Sequence, residues 1–176
     1  MVSLDEPAPD FTADTTRGEI SLSSLRGKWL VLFAYPADFT PICEADLICF
    51  AERKSEFDLM DVQFLGWSVD SVETHMKWID DIRKRNGVII DYPLIADEDR
   101  KLAERYGILH KARRITYRGL FVIDPEGILR FAATYPLEVG RNTEEVHRII
   151  KVLKRAAELS QLKELDRARE LSKYSK

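Results

Sequence analysis

Cys43 stands two residues after Pro41, where the apolar segment Trp29 to Tyr35 gives way to the run Pro36-Ala37-Asp38-Phe39-Thr40 and then to a helix-forming stretch. A thiol in the first turn of a helix lies among backbone amides that have no intrahelical acceptor. It also lies at the positive end of the macrodipole, so the thiolate, the nucleophilic form of sulfur, is favoured there. Thr40, three residues earlier, brings a hydroxyl able to position an oxygen-containing substrate against the sulfur. A cation nearby would strengthen the effect. The bland alternative for Cys43 is a small buried hydrophobe, the usual fate of a free cysteine. The other cysteine, Cys49, follows six residues later. In a regular helix that is roughly 9 Å of rise, whereas the Cα atoms of a disulfide usually lie less than about 7 Å apart. Packing is therefore the first reading of Cys49, and service as a second redox thiol requires the helix to unwind. The spacing fits neither a C-x-x-C redox pair nor paired zinc knuckles.

The elements that must hold these residues alternate. Phe11 to Asp14 and Glu19 to Leu22 flank the turn signal Arg17-Gly18, a short amino-terminal hairpin suited to covering a sheet edge. Lys28 to Tyr35 reads as a strand buried on both faces, placed centrally. A helix from Pro41 to about Phe57 follows, with proline in its first turn. Val62 to Val69 is a strand, and a helix capped by Asp70 or Ser71 runs to Asn86-Gly87. Pro93 to Ala96 is a short strand, Arg100 to Tyr106 a helix ended by Gly107, and Gly119 to Ile123 a strand. The turn Asp124-Pro125-Glu126-Gly127 joins it to Ile128 to Ala132. A helix from Asn142 to Ala157 closes the series. Parallel β-α-β units followed by an antiparallel hairpin make an α/β sandwich with a mixed sheet flanked by helices. Beyond it, residues 158–176 repeat Leu159, Leu162, Leu165, Ala168 and Leu171 among charges, an amphipathic helical extension whose apolar stripe needs a partner. The division expected is thus residues 1–157 and 158–176.

Composition narrows the function. The chain has 176 residues, 27 Lys and Arg against 30 Asp and Glu, and a net charge of −3, so no one-signed field recruits nucleic acid or an anionic membrane. The longest apolar run is far short of the roughly 20 residues of a membrane helix. The start carries no basic-then-apolar secretory pattern, which points to the cytoplasm. Scarce Asn and Gln beside abundant Lys, Arg and Glu resemble the usage of heat-adapted chains. His75, His110 and His147 lack the spacing of a metal site and read as structural. Lys111-Ala112-Arg113-Arg114 reads as a solvated loop. Gly-rich phosphate loops are absent from the sequence.

PADFTPIC, residues 36–43, resembles the P-x-x-x-T-x-x-C signature of the peroxiredoxins. The similarity continues through GWSVDSVETHMKWI, YRGLFVIDPEGILR and YPLEVGRNTEEV in the family's order, covering most of residues 4 to 155. The resemblance implies a thioredoxin-like sandwich with added elements and a cytoplasmic thiol peroxidase acting on hydrogen peroxide and small organic hydroperoxides, with no metal or organic cofactor. It implies that Cys43 attacks the O–O bond and becomes a sulfenic acid. Thr40 would bind the peroxide, Pro36 would shield the thiolate, and Arg118 would support the thiolate and polarise the attacked oxygen. Phe39 and Trp78 would wall the substrate pocket. No cysteine follows Cys49, so the chain resembles a 1-Cys enzyme regenerated by an external thiol, whether thioredoxin, a glutaredoxin-like protein or a small thiol. The rival cycle uses Cys49 as resolving thiol, and a rival class is a non-enzymatic holdase or redox-sensing oligomer. The family's habit implies a homodimer or a ring of dimers. Two residues depart from its pattern: Glu44 follows the cysteine directly, and Asp46 stands where relatives carry glutamate. Glu44 either opposes the thiolate or points outward and complements the helix dipole.

Overall fold

In the computed structural model, which describes residues 2–172, the chain opens with the expected hairpin of β1 (Thr12–Thr15) and β2 (Gly18–Ser21). A 3-10 turn, Leu22–Leu25, leads to β3 (Trp29–Ala34), whose six residues are all buried. α1 (Pro41–Glu52) and α2 (Lys54–Asp58) follow, then β4 (Val62–Ser68) and α3 (Val72–Asn86). After β5 (Leu94–Ala96) and α4 (Lys101–Arg105) come β6 (Leu109–His110) and β7 (Ile115–Thr116), then β8 (Arg118–Ile123) and β9 (Leu129–Tyr135). The seven-stranded sheet has the order β2-β1-β5-β4-β3-β8-β9. The strands β3, β4 and β5 are parallel, β8 and β9 antiparallel, and the amino-terminal hairpin covers β5 through the Thr15–Ile95 pair. β3 is thus central, which is why an unbroken apolar segment forms it: a strand between two others with both faces covered has no polar side.

The structure departs from the sequence reading in a helix break and in a pair of short strands. The helix expected from Pro41 to Phe57 is two helices, because Arg53 adopts φ −98° and ψ 2° between them; no Gly or Pro marks the break, so periodicity runs straight through it. Lys111 to Arg114 is the tip of the small β6–β7 hairpin, in which each strand has two residues, too few to carry a period. His110 stacks on Tyr117 beside it. Elsewhere the punctuation holds: Ser71 caps α3 through its hydroxyl, and Gly87 ends it at φ 72°, a conformation that favours glycine.

By compactness the chain divides into Met1–Arg141, which holds the sheet and α1 to α4, and Asn142–Lys176. Among the described residues the second unit is a single helix, α5 (Thr143–Ser172). Asn142 Oδ1 accepts from the amides of Glu144 and Glu145 and opens it, with two acidic residues in the first turn complementing the dipole. The helix is continuous through residues 157 and 158, where sequence reading divided the chain. Leu159, Leu162 and Leu165 are exposed, as a stripe awaiting a partner would be; the side chains of Ala168 and Leu171 and residues 173–176 lie outside the described residues. Among the described residues no helix is long and apolar enough to cross a membrane.

Candidate active site

Tyr35 leaves β3 with its amide still bonded to Trp67 O of β4 and its carbonyl accepting from Thr116 Oγ1 at 2.6 Å. Buried Pro36 then turns the chain into the loop that ends at Thr40, the N-cap residue of α1. Thr40 does not cap with its side chain; its hydroxyl donates backwards to Ala37 O at 3.0 Å. The amides of Ile42 and Cys43, which by position have no intrahelical acceptor, therefore remain aimed at the helix start. Cys43 is fully buried there.

Arg118, the first residue of β8, reaches it from across the sheet. Its Nη1 donates to Cys43 Sγ at 3.4 Å and to Asp46 Oδ2 at 3.1 Å, while Nε donates to Leu137 O at 2.8 Å. A second guanidinium closes the set. Arg141 Nη2 donates to Asp46 Oδ2 at 2.8 Å, its backbone amide donates to Asp46 Oδ1 at 2.9 Å, and Nη1 bridges the carbonyls of Ala34 and Gly119. Its planar group lies over Phe33, 5.1 Å from the ring centroid. The Arg118 and Arg141 side chains are at most 3% exposed, and that of Asp46 4%. Burial pulls Arg141 below the usual guanidinium range, and Asp46 opposes that pull. Two guanidinium groups thus face one carboxylate beside the Cys43 sulfur, and the Arg118 donor is placed to meet negative charge on that sulfur. Gly140 permits the approach: a Cβ there would sit 3.1 Å from Asp46 Oδ1.

The residues singled out in the sequence fall into groups. Cys43 and Arg118 are in direct contact, with Thr40 one turn before the sulfur and Pro36 buried at the loop start. Phe39 and Trp78 touch each other, with centroids 6.0 Å apart; Phe39 is half exposed, whereas Trp78 is fully buried and also packs on Tyr35. Cys49 is exposed on α1, and burial, Glu52 and Asp46 together push its thiol up, which keeps it in the less nucleophilic form. Asp46, noticed only as a departure, and Arg141, not noticed at all, are the residues sequence reasoning missed. The available signal was that Asp46 lies one turn from Cys43, on the same side of the helix. Two clefts of about 410 and 390 Å³ lie elsewhere, the larger among Lys28, Asp61 and Asp91 at the opposite end of β3, so volume does not mark this site. Among the described residues no three His, Cys, Asp or Glu side chains come together to hold a metal ion.

Glu44 turns toward α3 and is mostly covered there. Arg85 of α3 donates to both its oxygens, at 3.0 and 2.6 Å, and holds its carboxyl below the usual glutamate range. Because the unfolded chain then takes up the proton first on acidification, the pair's contribution is present at neutral pH and is lost as pH falls from the usual glutamate range through the lower folded value. Arg85 is half exposed, so solvent screens the pair and its contribution to stability is small. Glu44→Gln is accordingly expected to lower the urea midpoint slightly at neutral pH, by an amount that shrinks as pH falls below the usual glutamate range. A deficit that persists unchanged in acid would remove the ion pair as its cause.

The AhpC/TSA family profile matches residues 4–132. The chain is 45% identical over 150 residues to peroxiredoxin 2 of Thermoplasma acidophilum, covering 85% of this chain and 75% of that protein. It is 44% identical over 156 residues to the peroxiredoxin of Aquifex aeolicus, covering 87% and 70%. Among solved structures, a yeast mitochondrial 1-Cys peroxiredoxin superposes with a TM-score of 0.84 at 40% identity, over 90% of this chain and 79% of that one. A cysteine-to-serine mutant of the peroxiredoxin 6 of Arenicola marina gives 0.84 at 33% identity, over 89% and 76%.

Proposed function

The chain belongs to the AhpC/TSA family, the peroxiredoxins, and from that premise we propose that this thiol peroxidase works through Cys43 alone, on hydrogen peroxide and small organic hydroperoxides. The observation that carries the reading is the Arg118 guanidinium 3.4 Å from a fully buried sulfur at a helix start. The Cys43 thiolate attacks the terminal peroxide oxygen, forming the S–O bond as the O–O bond breaks. The attacked oxygen keeps its proton, so the sulfur becomes a sulfenic acid, and the departing oxygen leaves as hydroxide or alkoxide and takes a proton from solvent. Arg118 and the Cys43 amide stabilise the negative charge moving along the S–O–O line, and the Thr40 oxygen, its own proton directed at Ala37 O, accepts from the peroxide hydroxyl. One external thiol condenses with the sulfenic acid and releases water; a second displaces the Cys43 thiolate from the mixed disulfide.

Cys49 stays outside this cycle. It shares α1 with Cys43, and a disulfide between them would require the helix to open. Stopped-flow oxidation of the reduced protein by one equivalent of peroxide, followed by intact mass, tests the assignment. Wild type and Cys49→Ser are expected to react at the same rate within about twofold, as a residue outside the reacting set should, and each to gain one oxygen atom. A product lighter by two hydrogens, abolished by Cys49→Ser, would replace it with a two-cysteine cycle. The exposed stripe of Leu159, Leu162 and Leu165 supports self-association through α5; a monomer by sedimentation at micromolar concentration would remove that part.

A further inference from the structure

Behind the loop that presents Thr40 lies a second buried polar set, remote from the guanidinium cluster. His75 of α3 is fully buried; its Nε2 donates to Ile95 O of β5 at 3.0 Å, which leaves Nδ1, 2.7 Å from Asp38 Oδ2, to bind the carboxyl. Tyr35 Oη lies 3.3 Å from the same Nδ1. The Asp38 backbone is held as well: its amide donates to Asp70 Oδ2 at 2.9 Å, and Asp70 in turn accepts from Ser68 Oγ at 2.8 Å. One peptide unit thus carries two roles. Its N–H belongs to Asp38 and is gripped by Asp70; its carbonyl belongs to Ala37 and is the acceptor of the Thr40 hydroxyl. Because the peptide is planar, fixing the N–H fixes the direction of the carbonyl and hence of the Thr40 hydroxyl.

The intervening residue shows that the loop is held against its own preference. Phe39 has φ 55°, the left-handed region that a bulky side chain rarely adopts, and such a conformation persists only where its surroundings over-determine it. Asp38 on one side is tied by side chain and backbone, and Thr40 on the other is tied to the start of α1.

We propose that Asp38, His75 and Asp70 are positioning residues of the peroxidase, holding the Ala37–Asp38 peptide so that Thr40 meets the peroxide in line with the Cys43 sulfur. The proposal rests on the peroxidase reading of Cys43. None of the three touches the sulfur. Their effect falls on a substrate that must be held in one orientation for O–O cleavage, and not on a reagent that needs only a thiolate.

The test compares two second-order rates in a Cys49→Ser background: oxidation of Cys43 by hydrogen peroxide and its alkylation by iodoacetamide. Asp38→Ala is expected to slow oxidation by about 10- to 100-fold, as a misplaced substrate-holding group does, without slowing alkylation. Asp38→Asn, whose amide can donate to Nδ1, is expected to stay within about threefold of the parent, as a variant that keeps the positioning hydrogen bond should. If Asp38→Ala does not fold, Asp70→Ala, which removes the grip on the peptide N–H from a half-buried site, carries the same expectation. Oxidation within twofold of the parent, equal slowing of both reactions, or an Asn variant as slow as Ala overturns the proposal. A parent protein that reacts with peroxide no faster than free cysteine overturns the peroxidase reading instead.

Discussion

Cys43→Ser is expected to reduce peroxide consumption to the rate of the mixture without protein, and Arg118→Met, which keeps the length of the side chain but not its charge, to slow oxidation of Cys43 by about 10²–10³-fold, the cost typical of removing one donor from a developing anion. A serine hydroxyl in the same place is barely ionised at neutral pH and is a poor nucleophile toward a peroxide oxygen, so the loss is one of chemistry and not of fold. The guanidinium 3.4 Å from Sγ meets the negative charge that passes from the sulfur to the departing oxygen during the reaction. An Arg118→Met protein as fast as wild type would remove Arg118 from the chemistry. Peroxide consumption surviving in Cys43→Ser would remove Cys43 itself.

The second large effect is on stability. Asp46→Ala is expected to cost about 3–5 kcal/mol, because removing one member of a buried ionic set leaves its opposite charges uncompensated. Here two guanidinium groups, Arg118 and Arg141, would lose their shared carboxylate while remaining in a site from which water is excluded, and the Arg141 amide would lose its acceptor as well. That is a large share of the roughly 5–15 kcal/mol that separates folded from unfolded domains. Urea unfolding reads it as a fall in midpoint at constant slope. Asp46→Glu keeps the charge on a longer side chain and should recover much of the loss. A midpoint for Asp46→Ala indistinguishable from wild type would mean that the cluster does not hold the loop after β9 to α1.

Much of this could be read from residue order. The strand of Trp29–Ala34, the turn at Pro36, the helix starting at Pro41 and the thiol in its first turn are consequences of local chemistry: apolar residues on both faces, a missing amide, free N–H groups. So are the Ser71 cap, the Gly87 stop and the hairpin turn at residues 124–127. Arg118 entered only through likeness to a family, since no spacing links it to a residue 75 positions earlier. The break at Arg53 and the two-residue strands β6 and β7 left no periodic trace because each is shorter than the period that would reveal it.

By itself, then, the sequence determined the alternation of elements and a nucleophile at a helix start, because both depend on neighbours within one turn or one strand. Only the tertiary structure decided what charges that nucleophile meets. Asp46, Arg118 and Arg141 lie on α1, at the start of β8 and in the loop after β9, and they become one buried cluster because β3 and β8 pair side by side and Arg141 spans the gap past the Phe33–Leu120 pair to the carbonyls of Ala34 and Gly119. Likewise Asp38, in the loop after β3, and His75, on α3, look like unrelated polar residues in the sequence but lie 2.7 Å apart in the fold. Charges placed by long-range pairing act on one another through space, and the order of residues along the chain carries no measure of that distance.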